Sequence, residues 1–171
     1  MDLDKLALGI DQVNRRIGEA AAWLSLAMVV LTVVDVVMRY LFNTGAVWVQ
    51  ELEWHLFGLT FLLAAGYTLL MDAHVRVDIF YARQPRRVKA WIDLFGTLLF
   101  LFPVCAVVLW SSQKFVLNSW GFQEGSPDPG GLPGRWLIKS MIPVGFLLVA
   151  LQGVSELLKN VLVLSRPEEK P

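Results

Sequence analysis

The sequence predicts an all-α integral membrane protein. The expected chain has four transmembrane helices, both termini cytoplasmic, an amphipathic interfacial helix at the N-terminus and a short interfacial helix in the inner loop. Three observations carry this expectation. Of 171 residues, 56% are hydrophobic and 18% are charged, against roughly 25% charged in soluble domains, and the mean hydropathy is +0.54. Four apolar runs each approach the roughly 20 residues that a helix needs to cross hydrocarbon. Those runs are continuous rather than alternating, which excludes a closed β-barrel. Lysine and arginine, finally, are divided unevenly between the connecting segments.

Residues 1–18 come first. Leu3, Leu6, Ile10, Val13 and Ile17 recur at spacings of three and four, with Asp4, Lys5, Asp11, Arg15 and Arg16 between them. This is the pattern of an amphipathic helix lying in the inner interface. The first span, about 20–41, reads "AAAWLSLAMVVLTVVDVVMRYL"; Asn43 or Thr44 would cap the helix after it. "WVQELEWHLF" at 48–57 leads into the second span, about 54–71. A cytoplasmic loop at 72–91 follows, in which Pro85 opens a short helix. The third span, about 92–116, carries Pro103 in its middle. The outer loop 117–135 contains "EGSPDPGGLPG", too dense in turn residues to be helical. The fourth span is about 136–158. The chain forms a single membrane domain, and no internal repeat is visible, which argues against a self-contained carrier built from two related halves.

Orientation follows from the basic residues. Eleven of the fifteen, including Lys5, Arg15, Arg16, Arg86, Arg87 and Lys89, fall on the N-terminal segment, the 72–91 loop or the C-terminal end. The other four, Arg39, Lys114, Arg135 and Lys139, lie close to helix ends on the opposite side. Both termini therefore face the cytoplasm. Trp23 and Trp91 suit the inner interface, and Trp48, Trp54, Trp120 and Trp136 the outer one.

Little in the chain points to chemistry. A net charge of zero gives no pull on nucleic acid. The single cysteine, Cys105, allows no internal disulfide and no CxxC redox pair. No nucleophile–base pair, carboxylate dyad or phosphate-cradling glycine loop is present, so no catalytic residue is assigned and the chain is not expected to be an enzyme. No cofactor is expected either. His55 and His74 lie about 28 Å apart along one helix at 1.5 Å per residue, too far apart to share a haem. Glu51 and His55 share a helix face, but two ligands do not close a metal site. Dipole complementarity accounts for Glu51 and Glu53 near the start of the second helix. Asp35 is an acid inside the first span, where acids are costly. Arg39, one turn on, is its expected partner.

The motifs "RYLFN" at 39–43, "WVQELEWHLF" at 48–57 and "HVRVDIF" at 74–80, in this order along four spans, resemble the small membrane subunit, the DctQ family, of tripartite ATP-independent periplasmic (TRAP) transporters. The resemblance covers nearly the whole length. It carries Arg39, Tyr40, Phe42, Asn43, Trp48, Glu51, His74 and Asp78 onto the family pattern. Two departures stand out: Gln50 precedes Glu51 where many members have adjacent acids, and Trp54 stands where they often have arginine.

The resemblance implies a division of labour. A large membrane subunit holds the substrate and sodium sites, and a periplasmic substrate-binding protein delivers an organic acid. The small subunit braces the scaffold in the bacterial inner membrane. Asp35, Arg39, Asn43, Trp48, Glu51, His55, His74, Arg76 and Asp78 are then candidates for structural or subunit contact. Trp120, Glu124, Asp128 and Arg135 in the outer loop are candidates for contact with the binding protein. Two other classes compete: a membrane anchor of a respiratory complex holding quinone or haem, and a stand-alone small carrier.

Overall fold

The computed structural model of the chain describes residues 3–73 and 81–165. Among the described residues there is no strand, and the fold is built on the α-helices α1 (Leu3–Phe42), α2 (Val47–Leu70), α3 (Arg86–Gly96), α4 (Phe102–Gly121) and α5 (Trp136–Ser165). A π-helical turn, Thr97–Leu101, joins α3 to α4. Three of the resulting rods are long and apolar enough to cross a membrane: Leu3–Phe42, Arg86–Gly121 and Trp136–Ser165. The second expected span, within α2, is not among them.

The expected amphipathic helix and first span are one rod. Forty residues extend about 60 Å, about twice the hydrocarbon thickness. The N-terminal half of this rod packs against other helices: Ala7, Asn14, Gly18 and Ala21 are buried, and this stripe of small and polar residues runs along the C-terminal half of α5 and along α2. The apolar set keeps its helical period, but Leu3, Leu6 and Val13 face outward.

The connection from α1 to α2 also differs from expectation. Neither Asn43 nor Thr44 caps α2; Ala46 is the cap residue, without a side-chain bond. Asn43 instead takes a left-handed conformation, φ 50°, and ends α1. Thr44 N–H then reaches back to the Met38 carbonyl at 3.2 Å, the closure that such a residue permits after a helix. The first turn of α2 holds no acid. Since the helix dipole fades within one turn, it does not account for Glu51.

The short inner-loop helix is likewise continuous with the third span. Pro85 stands at its cap. Pro103 has no N–H to give the preceding turn, and the widened π turn immediately before it absorbs the mismatch. The helix runs on to Gly121, five residues into the expected outer loop.

α1, α2 and α5 pack on one another, and α3 and α4 join this group through α5. Close approach rests on glycine, as expected where lipid supplies no hydrophobic force between helices. At Gly145 of α5 a Cβ would come 2.7 Å from the Leu62 carbonyl of α2.

Candidate functional site

Polar contacts between the helices gather at the two ends of the bundle. At the end that holds the α4–α5 loop, Glu51 of α2 is buried, 5% exposed. It faces the segment between α4 and α5. Its Oε1 accepts from Ser126 Oγ at 2.6 Å and from an Arg135 guanidinium nitrogen at 2.9 Å; its Oε2 accepts from Leu132 N–H at 2.5 Å. Gly131 crosses so near that a Cβ there would stand 2.7 Å from Oε2. The turn-rich loop folds over this carboxylate: Ser126 N–H donates to Leu132 O at 3.0 Å, Asp128 N–H to Ser126 Oγ at 3.0 Å, and Arg135 N–H to Glu124 O at 2.8 Å. The Ser126 hydroxyl, the Leu132 amide and the Arg135 charge hold the Glu51 carboxyl down at about 2, against the burial that opposes ionisation. Glu51 lies before the apolar run that opens at Trp54.

A second tie flanks the first. Lys139 forms an ion pair with Glu124 and sits 4.1 Å from the centre of the Phe115 ring. Lys139 holds the Glu124 carboxyl below its ordinary value. Trp120 and Trp136 meet edge to face at 4.3 Å, so the ends of α4 and α5 are joined across the loop. Arg135 lies 5.7 Å over the Trp54 ring. His55 donates from Nδ1 to the Glu51 carbonyl at 2.5 Å and stacks against Trp54 at 3.9 Å. Its ring is directed to backbone, and the Glu51 carboxylate to the loop.

At the opposite end a second cluster ties α1 to α5. Asn14 Nδ2 donates to Gln152 Oε1 at 3.0 Å and lies 3.4 Å from Leu148 O. Gln152 Nε2 donates to Asp11 at 2.9 Å, Ser155 Oγ to the same carboxylate at 2.6 Å, and Lys159 Nζ at 2.9 Å. Gln152 and Ser155 have no exposed surface. Burial pushes Asp11 upward, but bonds from Ser155, Lys159 and Gln152 outweigh it and leave the carboxyl lowered. Three donors on one half-buried acid offset the cost of drawing its charge away from water.

The expected Asp35–Arg39 pair is formed along α1. Asp35 precedes the end of α1 by seven residues, about 10 Å. The pair is asymmetric: the Asp35 side chain is 4% exposed and that of Arg39 46%. Arg39→Ala is therefore expected to cost about 3 kcal/mol, the lower range for stranding one buried charge. Asp35→Ala should cost about 1 kcal/mol, since Arg39 can reach water. The double variant should recover most of the Arg39→Ala loss. Detergent melts of the four proteins measure this, and a double variant no better than Arg39→Ala would show that the pair is not the cause.

Of the remaining candidates, Asn43, Trp48, Trp120 and Asp128 are exposed, while Glu124 is paired with Lys139 of α5 and Arg135 with Glu51 of α2. His74, Arg76 and Asp78 lie outside the described residues. The cluster around Asp11 is absent from the candidates drawn from sequence. The signal was Gln152, Ser155 and Lys159, spaced three and four apart on one face of an apolar helix.

The family model "Tripartite ATP-independent periplasmic transporters, DctQ component" matches residues 28–162. That range contains the Asp35–Arg39 pair, the Glu51 latch and Gln152. A relative from Vibrio cholerae serotype O1, described as C4-dicarboxylate TRAP transporter small permease protein DctQ, is 28% identical over 96 residues. The matched stretch covers 56% of this chain and spans 38% of that relative's own length. With most of its length inside the family match, this all-helical chain belongs to the DctQ component family of tripartite ATP-independent periplasmic transporters, a transporter subunit and not an enzyme.

Proposed function

We propose that the chain is an auxiliary subunit that braces the large membrane subunit of a sodium-coupled, binding-protein-dependent carrier for organic acids. In this reading all four apolar runs cross the bacterial inner membrane, and both termini are cytoplasmic. α2 crosses with Glu51 at the outer surface and its C-terminal end at the inner one. The observation that carries the proposal is the placement of polar groups. The bonds that join helices sit at the two ends of the bundle and are spent on one another. Between them the buried Ser112 hydroxyl turns back to the Leu109 carbonyl of its own helix, and Gly145 brings α5 close to α2. A substrate lane for an organic anion needs donors at mid-depth; a brace needs rigid ends and a broad apolar exterior. α1 provides that exterior: Val29, Val33, Val36 and Tyr40 are each more than two-fifths exposed.

The outer loop, fixed from beneath by Glu51, presents Asp128 and the neighbouring prolines to the periplasm and suits a soluble partner such as the binding protein. C4-dicarboxylates, named for the Vibrio relative, are the first substrates to try. Reconstitution in liposomes under a sodium gradient provides the test. The chain alone should move no dicarboxylate, and uptake should need the large subunit and the binding protein together. Uptake by the isolated chain would overturn the proposal in favour of a stand-alone carrier.

A further inference from the structure

The rod Arg86–Gly121 fixes its own depth in a membrane. Twenty uncharged residues separate Asp93 from Lys114. At 1.5 Å per residue they span about 30 Å, the thickness of the hydrocarbon. Trp91, 49% exposed, then falls at the headgroup level, where tryptophan anchors, and the segment before it lies among the phosphates. Residues 81–93 hold four cations and one acid. Two of the cations are engaged inside the chain. Arg87 donates to the Leu164 carbonyl of α5 at 3.1 Å, and Lys89 lies 5.3 Å over the Tyr81 ring. Arg83 and Arg86 are exposed, and neither side chain has an ion pair or hydrogen bond among the described residues. The acids at this end face elsewhere. Asp72, Asp93 and Glu156 line a furrow beside α5 that neither arginine lines; Asp93 accepts from the Tyr81 hydroxyl at 2.6 Å, and Glu156 pairs with Lys159.

We propose that Arg83 and Arg86 bind the phosphate of an anionic phospholipid in the inner leaflet. The proposal rests on the membrane-crossing part of the reading above, and not on which subunit the chain serves. Arginine suits this ligand, because its planar fork matches the oxygens of a phosphate. Depth selects a lipid over a soluble anion. Ile92 and Phe95, 47% and 52% exposed, continue the same rod into the acyl chains, so the two guanidinium groups are held where headgroups lie. A zwitterionic headgroup brings its own ammonium to two uncompensated cations; an anionic headgroup brings none. The other exposed basic pair, Arg15 and Arg16 of α1, has Glu19 one turn on and is compensated from its own helix.

Lipid retention tests the assignment. The chain is reconstituted in vesicles of equal phosphatidylglycerol and phosphatidylcholine, re-extracted in detergent, and its bound lipid is measured by mass spectrometry. Each arginine near an anionic surface contributes roughly fivefold in affinity, so Arg83→Gln with Arg86→Gln should lower the retained phosphatidylglycerol-to-phosphatidylcholine ratio at least tenfold. Arg15→Gln with Arg16→Gln removes the same charge elsewhere and should lower it less than twofold. All four side chains are exposed, so melts in phosphatidylcholine should not change. No loss in the first variant, or an equal loss in both, would overturn the site. Millimolar inorganic phosphate should leave the ratio unchanged; displacement by it would replace the lipid assignment with a free-phosphate one. Benzoylphenylalanine in place of Val88, which is 39% exposed, should capture phospholipid in native membranes, and a protein as the main adduct would overturn the proposal. In each of these failures the auxiliary reading stands. If the unaltered chain inserts into neither lipid, both fall.

Discussion

Glu51→Ala is expected to release the outer loop. Three donors, from Ser126, Leu132 and Arg135, converge on this one carboxylate, and alanine leaves all three without an acceptor. Buried donors stranded in this way are costlier than the bond itself is worth. The Leu132 amide is the most direct reporter, since its N–H bonds Oε2 and no helix protects it. Its hydrogen exchange should accelerate by roughly tenfold or more in the variant. Amides in the middle of α5, remote from the loop, should not change. Glu51→Gln keeps an acceptor for Ser126 but loses the charge opposite Arg135, so its effect should lie between. Equal exchange at Leu132 in all three proteins would show that the loop holds its shape without the latch.

The same carboxylate sets an acid limit. Its ordinary value of 4.5 is lowered to about 2 in the folded chain. A group lowered on folding contributes stability that is whole above its unfolded value and is lost as pH falls through its folded one. The latch should therefore be intact at neutral pH, weaken below about 4.5 and open near 2. Asp11 is also lowered, so its cluster weakens in the same direction. Trp54, which lies beneath Arg135, should report this opening in its fluorescence, and the part of the acid transition due to Glu51 should be lost in Glu51→Ala, leaving that of the Glu124–Lys139 pair.

Three of the four apolar runs were legible as long apolar helices because length and composition can be counted; the run in α2, shared with Glu51, Glu53 and His55, falls short of that measure. The Asp35–Arg39 pair was legible because its partners are four residues apart on one helix. Glu51 was visible as an acid beside an apolar run, but its partners are 75 to 84 residues away, and no periodicity reports such a distance. The helix dipole was therefore given work that loop donors perform. Residues 1–18 carried a different ambiguity. The period of Leu3, Leu6, Ile10, Val13 and Ile17 marks an apolar face. In a water-soluble protein that face is the packed one. Here the packed face is the one bearing Ala7, Asn14 and Gly18, and Leu3, Leu6 and Val13 are exposed. Hydrophobic period alone does not say which face of a rod packs.

Gly66→Ala is the sharpest test of that packed face. In an exposed helix the change would favour folding by about 1 kcal/mol. At Gly66 the added Cβ overlaps Asn14 Oδ1 and lies 3.1 Å from the Leu148 carbonyl. The carbonyl is backbone and cannot give way cheaply. The Asn14 side chain can move only by leaving Gln152 Oε1, its partner at 3.0 Å. Overpacking of this kind costs about 1–3 kcal/mol, and the stranded Gln152 oxygen about 1 more. The loss exceeds the gain, and a net destabilisation of about 2 kcal/mol is expected in a detergent melt. Asn14→Ala removes the obstacle, together with an Oδ1 that is buried without a donor. Gly66→Ala added to Asn14→Ala should therefore cost almost nothing further. That non-additivity is the signature of two residues competing for one space. Additive losses would mean that the Leu148 carbonyl, and not Asn14, sets the limit, and that glycine is required there for the approach of α2 to α5 alone.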